Sequence, residues 1–176
     1  MSAQTQRRRL VLLRHAKSAW PHGVPDHDRP LAGKGRRNAQ AVGQWFRREG
    51  PRLDLVLCSD ALRALQTWEI VAETLPGAPE ASVRSEIYGA SAAELLDLLA
   101  QIPADVRTVL VVGHEPTMSQ TVLRLADAGS DPAALIQIRD KYPTNGIAVL
   151  EHEGPWPQWG DSGASVVSFV VPRSGE

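Results

Sequence analysis

Unbroken runs of Val, Leu and Ile recur along this chain at LVLL (10–13), LDLVLC (53–58), TVLVVG (108–113), IAVLEH (147–152) and VVSFVV (166–171), and stretches of helical period separate most of them. A strand with one wet face alternates apolar with polar residues, so unbroken runs belong to strands covered on both faces. The clearest helix carries Ala61, Ala64, Leu65, Trp68, Val71, Ala72 and Leu75 on one stripe. A second, over about 34–48, turns Ala39, Val42 and Phe46 inward and stops at Gly50-Pro51. A third begins at Ser91, where Ser-Ala-Ala-Glu has capping-box spacing, and carries Leu95, Leu98, Leu99 and Ile102. A fourth starts near Pro116, with Met118, Val122, Leu125 and Ala126 inward. The weaker run at 82–87 allows one more short strand. This alternation specifies an α/β fold, a three-layer α/β/α sandwich around a mostly parallel central sheet.

The last two runs are joined by EGPWPQWGDSGAS, which is too rich in Gly and Pro for a crossover helix. They are expected to pair as an antiparallel edge hairpin, with Trp156 and Trp159 against the sheet edge. Residues 22–35 read as a long loop leading into a helix, and 127–146 show no clear period. At 176 residues and 43% hydrophobic content the chain can bury a single core without metals or disulfides, so one domain is expected over 9–176 behind a disordered tail at 1–8.

Nineteen Lys plus Arg against twenty Asp plus Glu leave a net charge of -1, which argues against a nucleic-acid binder or a polybasic membrane module. Any anion must therefore be met by local charge. The single cysteine, Cys58, excludes an internal disulfide and a multi-cysteine zinc site and fits a reducing compartment. Arg14 cuts the first apolar run short of a signal-peptide core, and no window reaches the roughly 18 apolar residues of a membrane span. A cytoplasmic protein is expected.

In open α/β sheets the carboxyl ends of parallel strands form the ligand crevice. Here those ends deliver Arg14-His15, then Ser59-Asp60 with Arg63 in the following helical turn, then His114-Glu115. Each alone is most simply a surface charge or a hydrogen-bonded structural histidine; together they place two arginines and two histidines on one side. Guanidinium forks match phosphoryl oxygens, and nearby cations hold an imidazole neutral and nucleophilic. One of the histidines can then attack phosphorus in line and water can release the phosphate.

These residues resemble the histidine phosphatase superfamily, the phosphoglycerate mutase-like fold. The resemblance rests on four ordered motifs: LLRHAKSAW, DRPLAGKGRRNAQ from Asp28, CSDALRALQT from Cys58 and VVGHEPT from Val111. It implies that His15 is the phosphorylated nucleophile, that Arg14 and Arg63 clamp the phosphate and that His114 is a further phosphate contact. It also implies that Ser18 helps orient the bound group, and it places Glu86 in SEIYG as the acid for the leaving oxygen. Ala16 and Pro21 depart from the better-known Gly and Asn of the family, and RHAKSAW resembles the SixA-type branch, the phosphohistidine phosphatases. The implied substrate is a phosphorylated protein, such as a histidine-phosphotransfer domain, or else a small phosphate ester, with no cofactor.

Three other chemistries fit less well. Cys58 precedes an arginine as in cysteine-dependent phosphatases, yet CSDALR is too short a loop to wrap a phosphate and puts Asp60 inside it; Cys58 reads as a buried strand end, and Ser59 and Asp60 as helix caps. His22, Asp26, His27 and Asp28 crowd one loop without a helix to fix metal geometry, so no metal is expected. Gly33 and Gly35 follow no strand and so make no P-loop. A non-catalytic phosphate-recognition module would use the arginines but has no need for two neutral histidines.

Overall fold

In a computed structural model, which describes residues 6–175, the run LVLL forms the middle of strand β1 (Arg8–Arg14), where Leu10 to Leu13 are fully buried. Leu10 and Leu12 face one layer and Val11 and Leu13 the other, which is why both parities of the strand are apolar. The same holds for β4 (Thr108–Gly113), with Val109 and Val111 on one face and Leu110 and Val112 on the other. With β2 (Leu55–Cys58), β3 (Ala81–Val83), β5 (Ile147–His152) and β6 (Ser165–Val170) they make one six-stranded sheet in the order β3-β2-β4-β1-β5-β6. The first four are mutually parallel; β5 runs antiparallel to β1, and β6 antiparallel to β5.

Helices α1 (Gly33–Arg48) and α2 (Leu62–Glu73) cover one face with Val42, Trp45, Phe46, Ala64, Trp68 and Val71. On the other lie α3 (Ala92–Ala100), capped by Ser91 through the expected reciprocal box with Glu94, and α4 (Thr117–Leu125), whose N-cap is Pro116. The region without legible period contains a further helix, α5 (Pro132–Asp140), with Asp131 as its side-chain cap and only Ala134 and Ile138 buried. None of the helices among the described residues is long and apolar enough to cross a membrane.

Several expectations need revision. Of the tail expected over 1–8, residues 1–5 lie outside the described residues and Arg8 is the first residue of β1. Its guanidinium donates to the Ala104 and Gly154 carbonyls at 2.9 and 3.2 Å. The strand allowed at 82–87 is the three-residue β3, and Ser85–Ile87 is a 3-10 turn instead. The β5–β6 connection is no simple hairpin loop. It folds into a 3-10 turn (Trp156–Gln158) and a single helical turn, α6 (Trp159–Ser162). Trp156 and Trp159 therefore sit in the helical layer with α3 and α4, fully buried and stacked 4.9 Å apart, rather than on the sheet edge. The Gly and Pro residues that disguised this segment supply its tight entry and exit: Gly163 ends α6 at a φ of 77°.

Helix α1 starts against the loop that follows β1. Ala32 N–H donates to the Lys17 carbonyl at 2.9 Å, and a Cβ on Gly35 would lie 2.0 Å from that same oxygen. Backbone on backbone leaves no rotamer to yield. Gly35→Ala is expected to destabilise by about 1–3 kcal/mol, as overpacked sites do, and to shift the 15–19 loop. A thermal midpoint unchanged from wild type would show that the helix can retreat freely.

Candidate active site

The chain bonds beyond the strand ends set the site. His15 N–H donates to the Gly113 carbonyl and Ser59 N–H to the Val112 carbonyl, both at 3.0 Å, so the ends of β1, β4 and β2 are tied side by side. Ala16 N–H reaches Thr67 Oγ1 on α2 at 3.0 Å, and that hydroxyl donates to the Arg63 carbonyl at 2.7 Å. The loop of His15 and the helix of Arg63 are thus locked together through one threonine. The result is a cavity of about 380 Å³ whose lining includes Arg14, His15, Ser18, Arg63, His114 and Glu115.

His15 lies on its floor, 6% exposed. Its Nδ1 is 2.7 Å from the Ala16 carbonyl, which can only accept, so the proton is on Nδ1 and Nε2 carries the lone pair. Arg63 Nε donates to that lone pair at 3.2 Å. Burial first, and then the neighbouring His114, Arg63 and Arg14, lower the His15 pKa to about 3. His114, with its ring centroid 5.1 Å away, is lowered to about 4, chiefly by burial and next by Arg63. Its Nε2 meets Ser59 Oγ at 2.8 Å, while its Nδ1 is buried without a partner among the described residues. Ser59 Oγ thus serves His114 and also accepts from the Ala61 N–H at 3.2 Å at the start of α2, whose N-cap is Ala61 itself, and Asp60 pairs with His27 at 2.9 Å.

Arg14 Nη1 donates to the Tyr142 carbonyl at 2.9 Å, which anchors the guanidinium at the cavity wall. Arg63 is held harder: besides His15 it donates from Nη1 to the Asp26 carbonyl at 2.7 Å and from Nη2 to Asp26 Oδ2 at 3.1 Å. The Asp26 carboxylate also accepts from the Tyr88 hydroxyl at 2.6 Å and from Arg29 Nε at 3.0 Å, and these bonds, that of Tyr88 foremost, lower its pKa to about 2. Arg29 in turn donates to Ser18 Oγ at 2.6 Å.

The structure therefore brings together Arg14, His15, Ser18, Arg63 and His114. Glu86 stands apart: it sits on the 3-10 turn, pairs with Arg84 at 2.9 Å, and that arginine lowers its pKa. Asp26, Arg29 and Tyr88 were not singled out as supports of the site from the sequence. An Asp-x-x-Arg spacing hints at an Asp26–Arg29 pair, but only the fold brings Arg63 and Tyr88 to the same carboxylate.

A model of the histidine phosphatase superfamily (branch 1) matches residues 10–87. The candidate phosphohistidine phosphatase SixA from Nakamurella multipartitia is 37% identical, with a TM-score of 0.83 over 94% of this chain and 96% of its own. The chain belongs to the histidine phosphatase superfamily. Its neighbours place it in the SixA-type branch, and with the family come a phosphatase, hence hydrolase, activity and a phosphorylated substrate. The phosphohistidine phosphatase SixA of Escherichia coli (strain K12) is 27% identical over 125 residues, 70% of this chain and 77% of that protein. An uncharacterized protein of Mycobacterium tuberculosis (strain ATCC 25618 / H37Rv) is 45% identical over 162 residues, 92% of this chain and all of the relative.

The buried imidazoles give this histidine phosphatase a specific acid sensitivity. Both titrate near 6.5 in the unfolded chain and at about 3 and 4 in the fold, so as pH falls the unfolded state takes up protons first. The stability from keeping them neutral is complete above about 6.5 and is lost progressively toward 3 to 4. The thermal midpoint is expected to fall through this window, and His15→Asn should flatten the fall. An equally steep fall in the variant would assign the sensitivity to other groups.

Proposed function

We propose that this histidine phosphatase hydrolyses phosphohistidine on a protein, through a phosphohistidine of its own at His15. The observation that carries the reading is the neutral His15 ring, whose Nε2 lone pair opens on a cavity bordered by two guanidinium groups. An incoming phosphoryl group takes over the Arg63 Nε–H bond, freeing the lone pair for attack on phosphorus. The substrate's P–N bond breaks as the new P–N bond to His15 forms, with Arg14, Arg63 and His114 around the equatorial oxygens. Water then attacks the phosphoenzyme, the bond to Nε2 breaks, and phosphate leaves with His15 neutral again.

The choice of leaving group follows from the carboxylates. Among the described residues lining the cavity, Glu115 accepts from Ser119 N–H and hydroxyl at 2.7 and 2.8 Å, so both oxygens are taken up as acceptors. Asp26, behind Arg63, is ionised far below neutral pH. An alkoxide leaving group needs a proton from such an acid; a phosphohistidine protonated on its second ring nitrogen departs as neutral imidazole and needs none. The name of the Escherichia coli relative is consistent with this choice.

The test compares kcat/KM for a phosphorylated histidine-phosphotransfer domain with a panel of sugar, nucleotide and aryl phosphate esters, and traps the phosphoenzyme. The trapped species should be acid-labile and alkali-stable. Glu86→Gln should change kcat/KM on the phosphoprotein by less than about twofold, because a protonated phosphohistidine leaves as neutral imidazole without an added acid. Preference for small esters by a wide margin would leave the chemistry standing and remove the protein substrate.

A further inference from the structure

Beside the cavity mouth, the segment Trp20–Pro25 forms an apolar projection that the reaction at His15 does not use. Trp20, a cavity-lining residue, is 79% exposed, the most exposed large apolar side chain among the described residues. Pro21 and Pro25 are exposed as well, and Val24 is half-buried. Leaving an indole in water forgoes the gain of burying it, so its exposure needs a reason other than core packing.

The indole is also not loose. The Arg29 guanidinium lies 3.5 Å from its ring centroid, and Arg29 is fixed by Asp26, Ser18 Oγ and the Ala19 carbonyl. The loop beyond it is braced by two prolines and turns at Gly23, whose φ is 77°, with Val24 N–H donating to the Pro21 carbonyl at 3.4 Å. A rigid, solvated aromatic pinned beside a binding cavity has the properties of an interface anchor, since its ordering cost is met before the partner arrives.

We propose that Trp20 and the 20–25 loop are the docking surface for the phosphorylated protein substrate, gripping an apolar side chain next to its phosphohistidine. This rests on the substrate reading above. Two observations favour a protein carrying the phosphoryl group over a lipid surface. Trp20 lines the same cavity as His15, which lies five residues before it in the chain, so that an object seated in that cavity has the indole at its side. The cations around that wall, Arg14, Lys17, Arg29 and Arg63, line one cavity of about 380 Å³ rather than spreading along the loop, whose tip carries no Lys or Arg. The loop therefore contributes apolar contact and the cavity contributes charge.

The test measures steady-state kinetics of wild type, Trp20→Ala and Trp20→Phe on two substrates, a phosphorylated histidine-phosphotransfer domain and phosphoramidate. In Trp20→Ala the ratio of kcat/KM for the protein over phosphoramidate should fall about tenfold or more, through KM for the protein, as loss of an aromatic hot spot does. Trp20→Phe should recover most of it. An equal fall on both substrates would mean that Trp20 only supports Arg29, and no change on either would leave the loop without a docking role; each overturns the proposal. Failure of wild type to turn over the phosphoprotein while hydrolysing phosphoramidate would sink the substrate reading and the docking surface with it. Trp20-dependent binding to vesicles of anionic phospholipid, with an unchanged ratio, would assign the loop to membranes instead.

Discussion

His15→Ala should reduce kcat on phosphohistidine protein by about four orders of magnitude or more, the scale seen when a covalent nucleophile is removed, and the acid-labile phosphoenzyme should vanish. The reason is positional. His114 is the other neutral imidazole at the cavity, but its Nε2 is tied to Ser59 and its Nδ1 is buried, so neither nitrogen replaces the lost lone pair. His114→Ala should by contrast leave a detectable phosphoenzyme, formed about a hundredfold more slowly, as expected for loss of one stabilising donor. His15 is buried and bonded to Ala16, so the variant's fold must be checked by its thermal midpoint; a folded His15→Ala protein within tenfold of wild-type activity would end the phosphohistidine mechanism.

The sequence revealed Arg14, His15, Arg63 and His114 because a buried strand announces its own end. Four apolar residues followed by a charged one mark where the chain leaves the core, and in a parallel sheet such exits gather on one side. The bonds that join the strand ends continue the ladder past the last apolar residue, as His15 to Gly113 and Ser59 to Val112 show. Asp26 was illegible for the opposite reason. It lies in a polar loop, and its partners Arg63 and Tyr88 are 37 and 62 residues away, joined to it by the fold alone. Helix α5 went unread although Asp131-Pro132 is a cap followed by proline, because its two buried residues make too thin a stripe for periodicity to show. Glu86 shows what a motif match leaves open: the residue type is present, and the fold pairs its exposed carboxylate with Arg84.

The connection between β5 and β6 was misplaced more seriously, and Trp159→Ala measures by how much. Trp159 is fully buried, stacks on Trp156 at 25° and meets the His152 ring edge-on at 5.6 Å. Truncating a tryptophan in such a layer costs about 3–5 kcal/mol, which in a chain of this size lowers the thermal midpoint by roughly 6–20 °C. Against that loss stands a small gain, because the indole N–H is buried without a partner among the described residues and its removal relieves an unsatisfied donor. Trp159→Phe separates the two terms: it keeps most of the apolar contact and deletes the orphan N–H, so it should cost less than about 2 kcal/mol. A sheet-edge tryptophan gives a different result, since a half-solvated side chain returns little on truncation and its N–H is already met by water. A midpoint shift below about 2 °C in Trp159→Ala would restore that reading, while a large shift in alanine with a small one in phenylalanine fixes α6 as part of the core that holds α3 and α4 against the sheet.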